Sequence, residues 1–485
     1  MLSRPYCVPS HFCLSRIWMI AKKRLSITIL SSLLAELVGK LIPLAVLAIG
    51  QRRLVIENLG FALMGVTLLE FCIPFITFGY SQYGSIQWGK LTADSDRRQL
   101  VRDLWALRSL HALVAFLVLM GLCAWSAEYR PYLSLILALS FILVLSAMEC
   151  AWIQVATQKI AFFGLFNIIA KVASLICIYL WVQTPADATA YAIFVLGMNG
   201  LVCLLTIVSC RNWISMGRPH FSLLLPIVNR VKGYAVVAIW MVWMDRVDLL
   251  WVNHRFGPHE VGLYAGASRL NQALLQLVWI LAWAFFSEAV VTIGKKALSH
   301  HLQLATFMVF SLLAPISVGI FFFAPDFLRI LVGPAYEPMA LPLSLLVVGS
   351  IGTAGILLLG QQVLQLRESV GKMFVALAVG GLVSGLIFVM APSHWGMTGV
   401  AAGQLIGKLA AVSLMLYWGR PFLDRLPWSE MGTCIAPAAL MGLGLYFCPQ
   451  PHWGPRFLLA LGIYGVSFLG MNQRRLRGWY AGLRM

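Results

Sequence analysis

Apolar runs of bilayer length recur along nearly the whole chain, and this recurrence limits the fold more than any other feature. A hydrocarbon core about 30 Å thick needs about twenty apolar residues per helix. A segment crossing it must satisfy its own backbone, which selects helices. Runs bounded by charges, Gly and Pro give about fourteen spans. They lie near Ser26–Ile49, Leu59–Phe78, Leu104–Trp125, Tyr132–Ala156, Ala161–Val182 and Thr189–Cys210. A second set lies near Gly233–Val252, Gly262–Ile293, Leu302–Phe323, Leu341–Leu364, Gly371–Ala391, Thr398–Trp418, Met431–Phe447 and Arg456–Gly470. A β-barrel would show alternating segments of about ten residues instead. Of the 485 residues 60% are hydrophobic and 11% charged, whereas a soluble domain has about a quarter charged. The expectation is an all-α membrane protein with about fourteen transmembrane helices.

The net charge of +18 invites a nucleic-acid reading. Its distribution argues for topology instead. With the N-terminus in the cytoplasm, most Lys and Arg fall in alternate loops and in both tails. The opposite face keeps Arg52, Arg53, Arg130, Arg255, Arg329 and Arg456. This is the positive-inside bias, and it predicts a multi-pass protein with both termini cytoplasmic and no nucleic-acid partner.

The expected organisation is a tail at 1–25, a first group of six helices at 26–210, a linker at 211–232, a second group of six at 233–418, two added helices at 431–470 and a tail at 471–485. The residues before Met19 read either as a polar tail or as an extension from a misplaced start codon. The apolar run after Lys22-Lys23-Arg24 outlasts a signal-peptide core and contains Glu36 and Lys40, so it reads as a first membrane helix. Gly50 and Leu59-Gly60-Phe61-Ala62 faintly echo Gly257 and Val261-Gly262-Leu263-Tyr264-Ala265. The glycine spacings differ, so the sequence alone does not establish a repeat.

Ten cysteines are scattered without a C-x-x-C pair, which implies neither a disulfide framework nor a metal site. His300-His301 read as an interfacial loop pair rather than ligands. No Walker loop, G-x-S-x-G or H-E-x-x-H is present, so no enzyme and no cofactor is expected.

The informative residues are ionisable groups inside spans, which are costly in lipid and usually face a bundle interior or a watery cavity. The bases are Lys40, Arg108, Lys171, Arg246, Arg269 and Lys408; the acids are Glu36, Glu70, Glu149, Asp245, Asp248 and Glu288. Glu36 and Lys40 can pair four residues apart on one helix, and Arg246 has carboxylates beside it. Arg108, Lys171, Arg269 and Lys408 have no acid one turn away in their own helices. They must find a partner on another helix, a ligand or water. Unneutralised bases would attract phosphate. Asp245, Asp248 and Glu288 either titrate or bind a coupling cation, or serve as counter-ions to Arg246 and Arg269. The tryptophans Trp240, Trp243, Trp251, Trp279 and Trp283 suit lipid-facing or core positions, or sugar stacking.

Two stretches carry a family likeness. One is Asp245-Arg246-Val247-Asp248, the turn at Gly257, Val261-Gly262-Leu263-Tyr264-Ala265 and Arg269. The other is Ala324 to Ala340, where Gly333 and Tyr336 follow an apolar helix. Together with the hydropathy they resemble the polysaccharide flippases, the O-antigen (Wzx-type) branch of the superfamily that also holds multidrug extruders and lipid II flippases. The resemblance implies two six-helix lobes in a V around a central cavity, in the bacterial cytoplasmic (inner) membrane. It implies alternating access that flips undecaprenyl-pyrophosphate-linked oligosaccharide for O-antigen, capsule or exopolysaccharide synthesis. Its partners would be the lipid-linked oligosaccharide, membrane lipids, a coupling ion (H+ or Na+) and a polysaccharide polymerase. A multidrug antiporter or a lipid II flippase is the nearest alternative. A membrane glycosyltransferase or polymerase fits less well, because no outward loop is long.

Overall fold

The computed structural model describes residues 42–157, 160–215, 217–289, 295–367, 369–391, 393–447 and 453–484. Among them there is helix and connecting backbone but no strand. There are 10 helices long and apolar enough to cross a membrane, or up to 12 if each of two bent pairs is one span. The expected spans outside that set are the first, described only from residue 42, and Gly262–Ile293.

The first half holds α1 (residues 42–53), α2 (Ile56–Thr77), α3 (Tyr80–Lys90), α4 (Asp94–Trp125), α5 (Leu133–Leu139), α6 (Phe141–Ala147), α7 (Ala151–Ala156), α8 (Ile160–Trp181) and α9 (Ala188–Ser209). The second holds α10 (Phe221–Met244), α11 (Val247–Phe256), α12 (Pro258–Ala289), α13 (Lys295–Leu331), α14 (Ala340–Gly355), α15 (Val370–Met390) and α16 (Gly396–Gly419). Then α17 (Trp428–Phe447) and α18 (Trp453–Arg484) pack as a pair, mainly through α17 on α13.

Several sequence expectations change. The stretch Tyr132–Ala156 is not one rod. It is α5, α6 and α7, broken at Ser140 and at Met148-Glu149-Cys150, and the paired segments bend by 47°. The span Gly233–Val252 breaks at Asp245-Arg246, where Arg246 has φ −131 and ψ −16. Helix α14 continues as a π-helix over Ile356–Gln365. Residues 221–232 of the expected linker are already helical, as the start of α10. The His pair is not in a loop: both residues lie within α13, and His301 is buried. The turn at Gly257 is present, with φ +93, and Pro258 opens α12. Proline at that position loses only an N–H that would have no helical partner.

The halves meet chiefly where α2 packs on α12, with α10 and α11 adding to the contact. A Cβ on Gly60 would strike the Pro258 carbonyl and the Gly262 amide; one on Gly262 would strike the Ile56 carbonyl. Only glycine at both positions lets backbone lie against backbone here. The two stretches whose sequences faintly echo each other therefore press together across the seam. Nearby, the Tyr132 hydroxyl donates to Asn253 Oδ1 at 2.9 Å. Asn253 Nδ2 donates to Glu128 Oε1 at 2.9 Å, and His254 Nδ1 lies 2.9 Å from Glu128 Oε2. Glu128 and Tyr132 belong to the first half, Asn253 and His254 to the second, so this end of the seam is stitched by hydrogen bonds.

The glycine contact sets the first prediction. Gly262→Ala should lower the thermal unfolding midpoint in detergent, at an overpacking cost of about 1–3 kcal/mol. Gly121→Ala, where a Cβ meets nothing within 4 Å, should leave it unchanged or raise it. Equal midpoints for the two variants would contradict the packing described.

Candidate functional site

The charges that sequence reasoning singled out come from separate helices, and most converge between the halves. Glu70 lies on α2. Asp245 and Arg246 occupy the break between α10 and α11, and Asp248 sits in the first turn of α11. Arg269 is on α12, Lys408 on α16 and Lys171 on α8.

Glu70 is the hub. Arg269 reaches it with both arms of its fork, Nη1 to Oε1 at 3.0 Å and Nη2 to Oε2 at 3.1 Å. Arg246 Nη2 reaches Oε2 at 3.1 Å. Both arginines belong to the second half and the carboxylate to the first, so this triad bridges the seam. Fork-to-carboxylate pairing is the strongest common hydrogen-bonded ion pair, and these side chains are only 15–19% exposed. The donors are not used up: Arg246 Nη1 and Arg269 Nε are buried with no hydrogen-bond partner among the described residues.

The break beside the triad is held open by its own contacts. Lys408 Nζ lies 2.7 Å from Asp245 Oδ1. Asp248 accepts from the Tyr264 hydroxyl and from the Leu249 amide, each at 2.9 Å. Gln404 Nε2 donates to the Met244 carbonyl at 2.8 Å. An unpaired carbonyl in a membrane interior costs several kcal/mol, so Gln404 makes the interruption tolerable. The interruption in turn lets a carboxylate and a guanidinium from adjacent residues point to different neighbours.

Two cavities flank the triad and share Arg246 and Gln272 as a wall. One, of about 190 Å³, is lined by Asp245, Asp248, Asn271, Gln404 and Lys408 among others. The other, of about 320 Å³, lies toward the first half and is lined by Asn167, Lys171, Tyr191, Asn199 and Arg269 among others. Among the described residues, the bases Lys171, Arg246, Arg269 and Lys408 and the acids Glu70, Asp245 and Asp248 gather around the two cavities. The combination of unfilled guanidinium donors and amide side chains suits an anion bearing several acceptor oxygens.

The expected residues divide as follows. Arg246, Arg269, Lys408, Lys171, Asp245 and Asp248 are brought together. Arg269 and Lys408 are not left unneutralised: each finds a carboxylate on another element, Glu70 and Asp245, while still lining a cavity. Arg246 pairs with distant Glu70 rather than the carboxylates beside it. Arg108 stands apart. Fully buried, it donates to Glu149 Oε2 at 3.1 Å, to the Glu149 carbonyl at 2.7 Å and to Ser81 at 2.8 Å. It ties α4 to the break before α7 and lines neither cavity. Lys40 and Glu36 lie outside the described residues. Glu288, Trp279 and Trp283 fall on α12, with their side chains outside them. Among the described residues no tryptophan lines either charged cavity; Trp240 packs against Phe374, and Trp243 against Phe71.

Sequence reasoning gave Glu70 no role, although it is the lone acid of its span. It also passed over Asn271-Gln272, close behind Arg269 on α12. Among the described residues no group of three His, Cys, Asp or Glu side chains could hold a metal ion, and the described cysteines form no disulfide.

A double-mutant cycle tests the triad. Glu70→Ala should destabilise by about 3–5 kcal/mol, because two buried guanidinium groups lose their counter-ion. Arg269→Ala should cost less, since Arg246 still faces Glu70. The coupling between the two sites should be about 1–3 kcal/mol, read from thermal or denaturant unfolding in detergent. Additive effects would mean the pair does not form.

No family model matches the chain, and no curated protein matches it in sequence. Solved structures do match. A lipid II flippase, MurJ, in its inward closed conformation superposes with a TM-score of 0.73 at 12% identity, covering 92% of this chain and all of that one. An inward-facing multidrug resistance MATE family transporter of the MOP superfamily gives 0.58 at 14% identity, covering 79% of this chain and 94% of that one. A point mutant of the Vibrio cholerae MATE transporter VcmN gives 0.57 at 14%, covering 84% and 99%. At these identities the likeness is one of fold: the chain is built as these membrane transporters are built.

Proposed function

We propose that this protein is a flippase for undecaprenyl-pyrophosphate-linked oligosaccharide, working by alternating access in the bacterial cytoplasmic membrane. The observation that carries the reading is the wall between the two cavities. There Arg246, with Arg269 lining the larger cavity beside it, holds Glu70 across the seam, while Arg246 Nη1 and Arg269 Nε stay unfilled. A pyrophosphate offers the acceptor geometry of a carboxylate with more oxygens and more charge. It competes with Glu70 for the forks, and in doing so loosens the contact that joins the halves. Asn167, Asn199 and Gln272 supply hydrogen bonds for sugar hydroxyls, while the lipid tail stays in the bilayer. Asp245 and Asp248 are the coupling groups for H+ or Na+, together with Glu288, and Lys408 is the partner Asp245 exchanges. The sequence offers no nucleotide site to drive the cycle. Basic loops place both termini in the cytoplasm, and a polysaccharide polymerase would receive the product.

A lipid II flippase is the second reading, favoured by the TM-score of 0.73 to such a protein over its whole length. Both substrates carry a prenyl pyrophosphate, so the same residues serve.

The test is transport of a lipid-linked oligosaccharide in proteoliposomes, with complementation of a deletion strain that accumulates repeat units on the cytoplasmic face. Arg269→Ala should cut transport per unit of folded protein about tenfold to a hundredfold, the worth of one charged hydrogen-bonding group. Arg108→Ala should instead lower the amount of folded protein. Normal transport by both Arg269→Ala and Lys408→Ala would sink the cationic-passage mechanism. A preference of about tenfold for lipid II over other repeat units would shift the substrate to the second reading.

A further inference from the structure

Away from the charged cavities, at the stitched end of the seam, there is a different recess. Helix α11 packs on α12 and α16, while α15 packs on α16 and α10. Helices α11 and α15 face each other beyond the break at Asp245-Arg246, where Trp251 meets Phe388. Between them is a recess of about 560 Å³, lined almost wholly by apolar groups: Leu250 and Trp251 of α11, Leu382, Leu386 and Val389 of α15, and Tyr129 from the first half. Gly381 and Gly385 form its floor. A Cβ on Gly381 would touch Trp240, but one on Gly385 meets nothing within 4 Å. The recess runs into a second one of about 310 Å³, which shares Trp251, His254, Phe388 and Val389 with it and adds Arg255 and Gly396. Trp251 stacks on Phe388 at 6.3 Å between the two. At the polar end, His254 is held by Glu128, while Arg255 is exposed and makes no ion pair or hydrogen bond among the described residues.

An apolar trough ending at an unpaired guanidinium matches an acyl chain joined to a phosphate. We propose that this is a binding site for an anionic membrane phospholipid of the phosphatidylglycerol type. One acyl chain lies over Gly381 and Gly385, and the headgroup phosphate meets Arg255. The position of Tyr129 matters. The chain touches the first half at Tyr129 and the second at α11 and α15, so the lipid bridges the seam beside the Glu128–Asn253–His254 stitch. Its occupancy favours the arrangement in which this end is closed. The charge argument is that an exposed guanidinium without a counter-ion pairs with a headgroup phosphate, whose oxygens its fork matches. The trough adds shape to that attraction. The inference stands independently of the transported substrate, because none of these residues lines the charged cavities.

The experiment uses the full-length protein in mild detergent, titrated with phosphatidylglycerol or phosphatidylcholine and read by native mass spectrometry and thermal unfolding. Phosphatidylglycerol should be retained about tenfold more strongly and should raise the unfolding midpoint more. Gly385→Leu projects a side chain into the trough from a position where a Cβ meets nothing within 4 Å, and should remove retention of both lipids. Arg255→Gln should remove only the preference for the anionic one. Should Gly385→Leu fail to fold, Gly385→Ala with Arg255→Gln still separates the chain from the headgroup contribution. Equal retention of the two lipids by the unaltered protein, or retention untouched by either substitution, overturns the proposal. So does displacement of phosphatidylglycerol by equimolar undecaprenyl phosphate, which would assign the trough to a prenyl chain. A flippase that transports normally yet shows equal lipid retention would refute this site and leave the proposed function intact.

Discussion

A single carboxylate, Glu70, holds two guanidinium groups from the opposite half of the molecule. Much of the structure depends on that contact. In a bilayer there is little hydrophobic gain in bringing helices together, because lipid is as apolar as leucine; close packing and polar contacts must do it. The two halves therefore use both means along one helix pair. Near one end of α2, Gly60 and Gly262 let backbone lie on backbone. Further along α2 the triad supplies charge-assisted hydrogen bonds. The first is a steric fit that a ligand cannot imitate. The second is a carboxylate that a phosphate can replace, which is where a seam meant to open should be weakest toward an anionic substrate.

Broken helices place the charges. The interruption at Asp245-Arg246 turns neighbouring residues toward different partners, Lys408 and Glu70, and Gln404 supplies the hydrogen bond the broken backbone loses. The first half has a parallel arrangement: Glu149 stands at the break before α7 and is held by Arg108. There the ion pair is enclosed and borders neither charged cavity, so the same device acts as a fastening. What distinguishes a site from a fastening is access, and access is a property of the surroundings rather than of the pair.

Several elements were legible from the chain because they follow from local physics. Helices had to form wherever about twenty apolar residues ran together, and the turn at Gly257-Pro258 follows from what those residues do to a helix end. That Arg246, Arg269 and Lys408 would point inward follows from the cost of exposing them to lipid. Other features were hidden because their causes are far away in sequence. The α10–α11 break needs Gln404 from α16 to exist. The role of Glu70 needs Arg269, a distant residue of another helix, at 3.0 Å. Arg108 and Arg269 looked alike in the sequence, each without an acid on its own helix, and only their neighbours separate them.

The sequence by itself determined that the chain is a polytopic helical membrane protein whose few charges within spans must face inward, since hydropathy and the cost of buried charge act residue by residue. It also carried, at Gly60 and Gly262, the small residues that a close crossing requires. Tertiary structure decided which charges neutralise each other, which donors stay unfilled and where cavities remain between the halves. Those outcomes depend on distances between helices, and a linear pattern of apolar and charged residues contains no such distances.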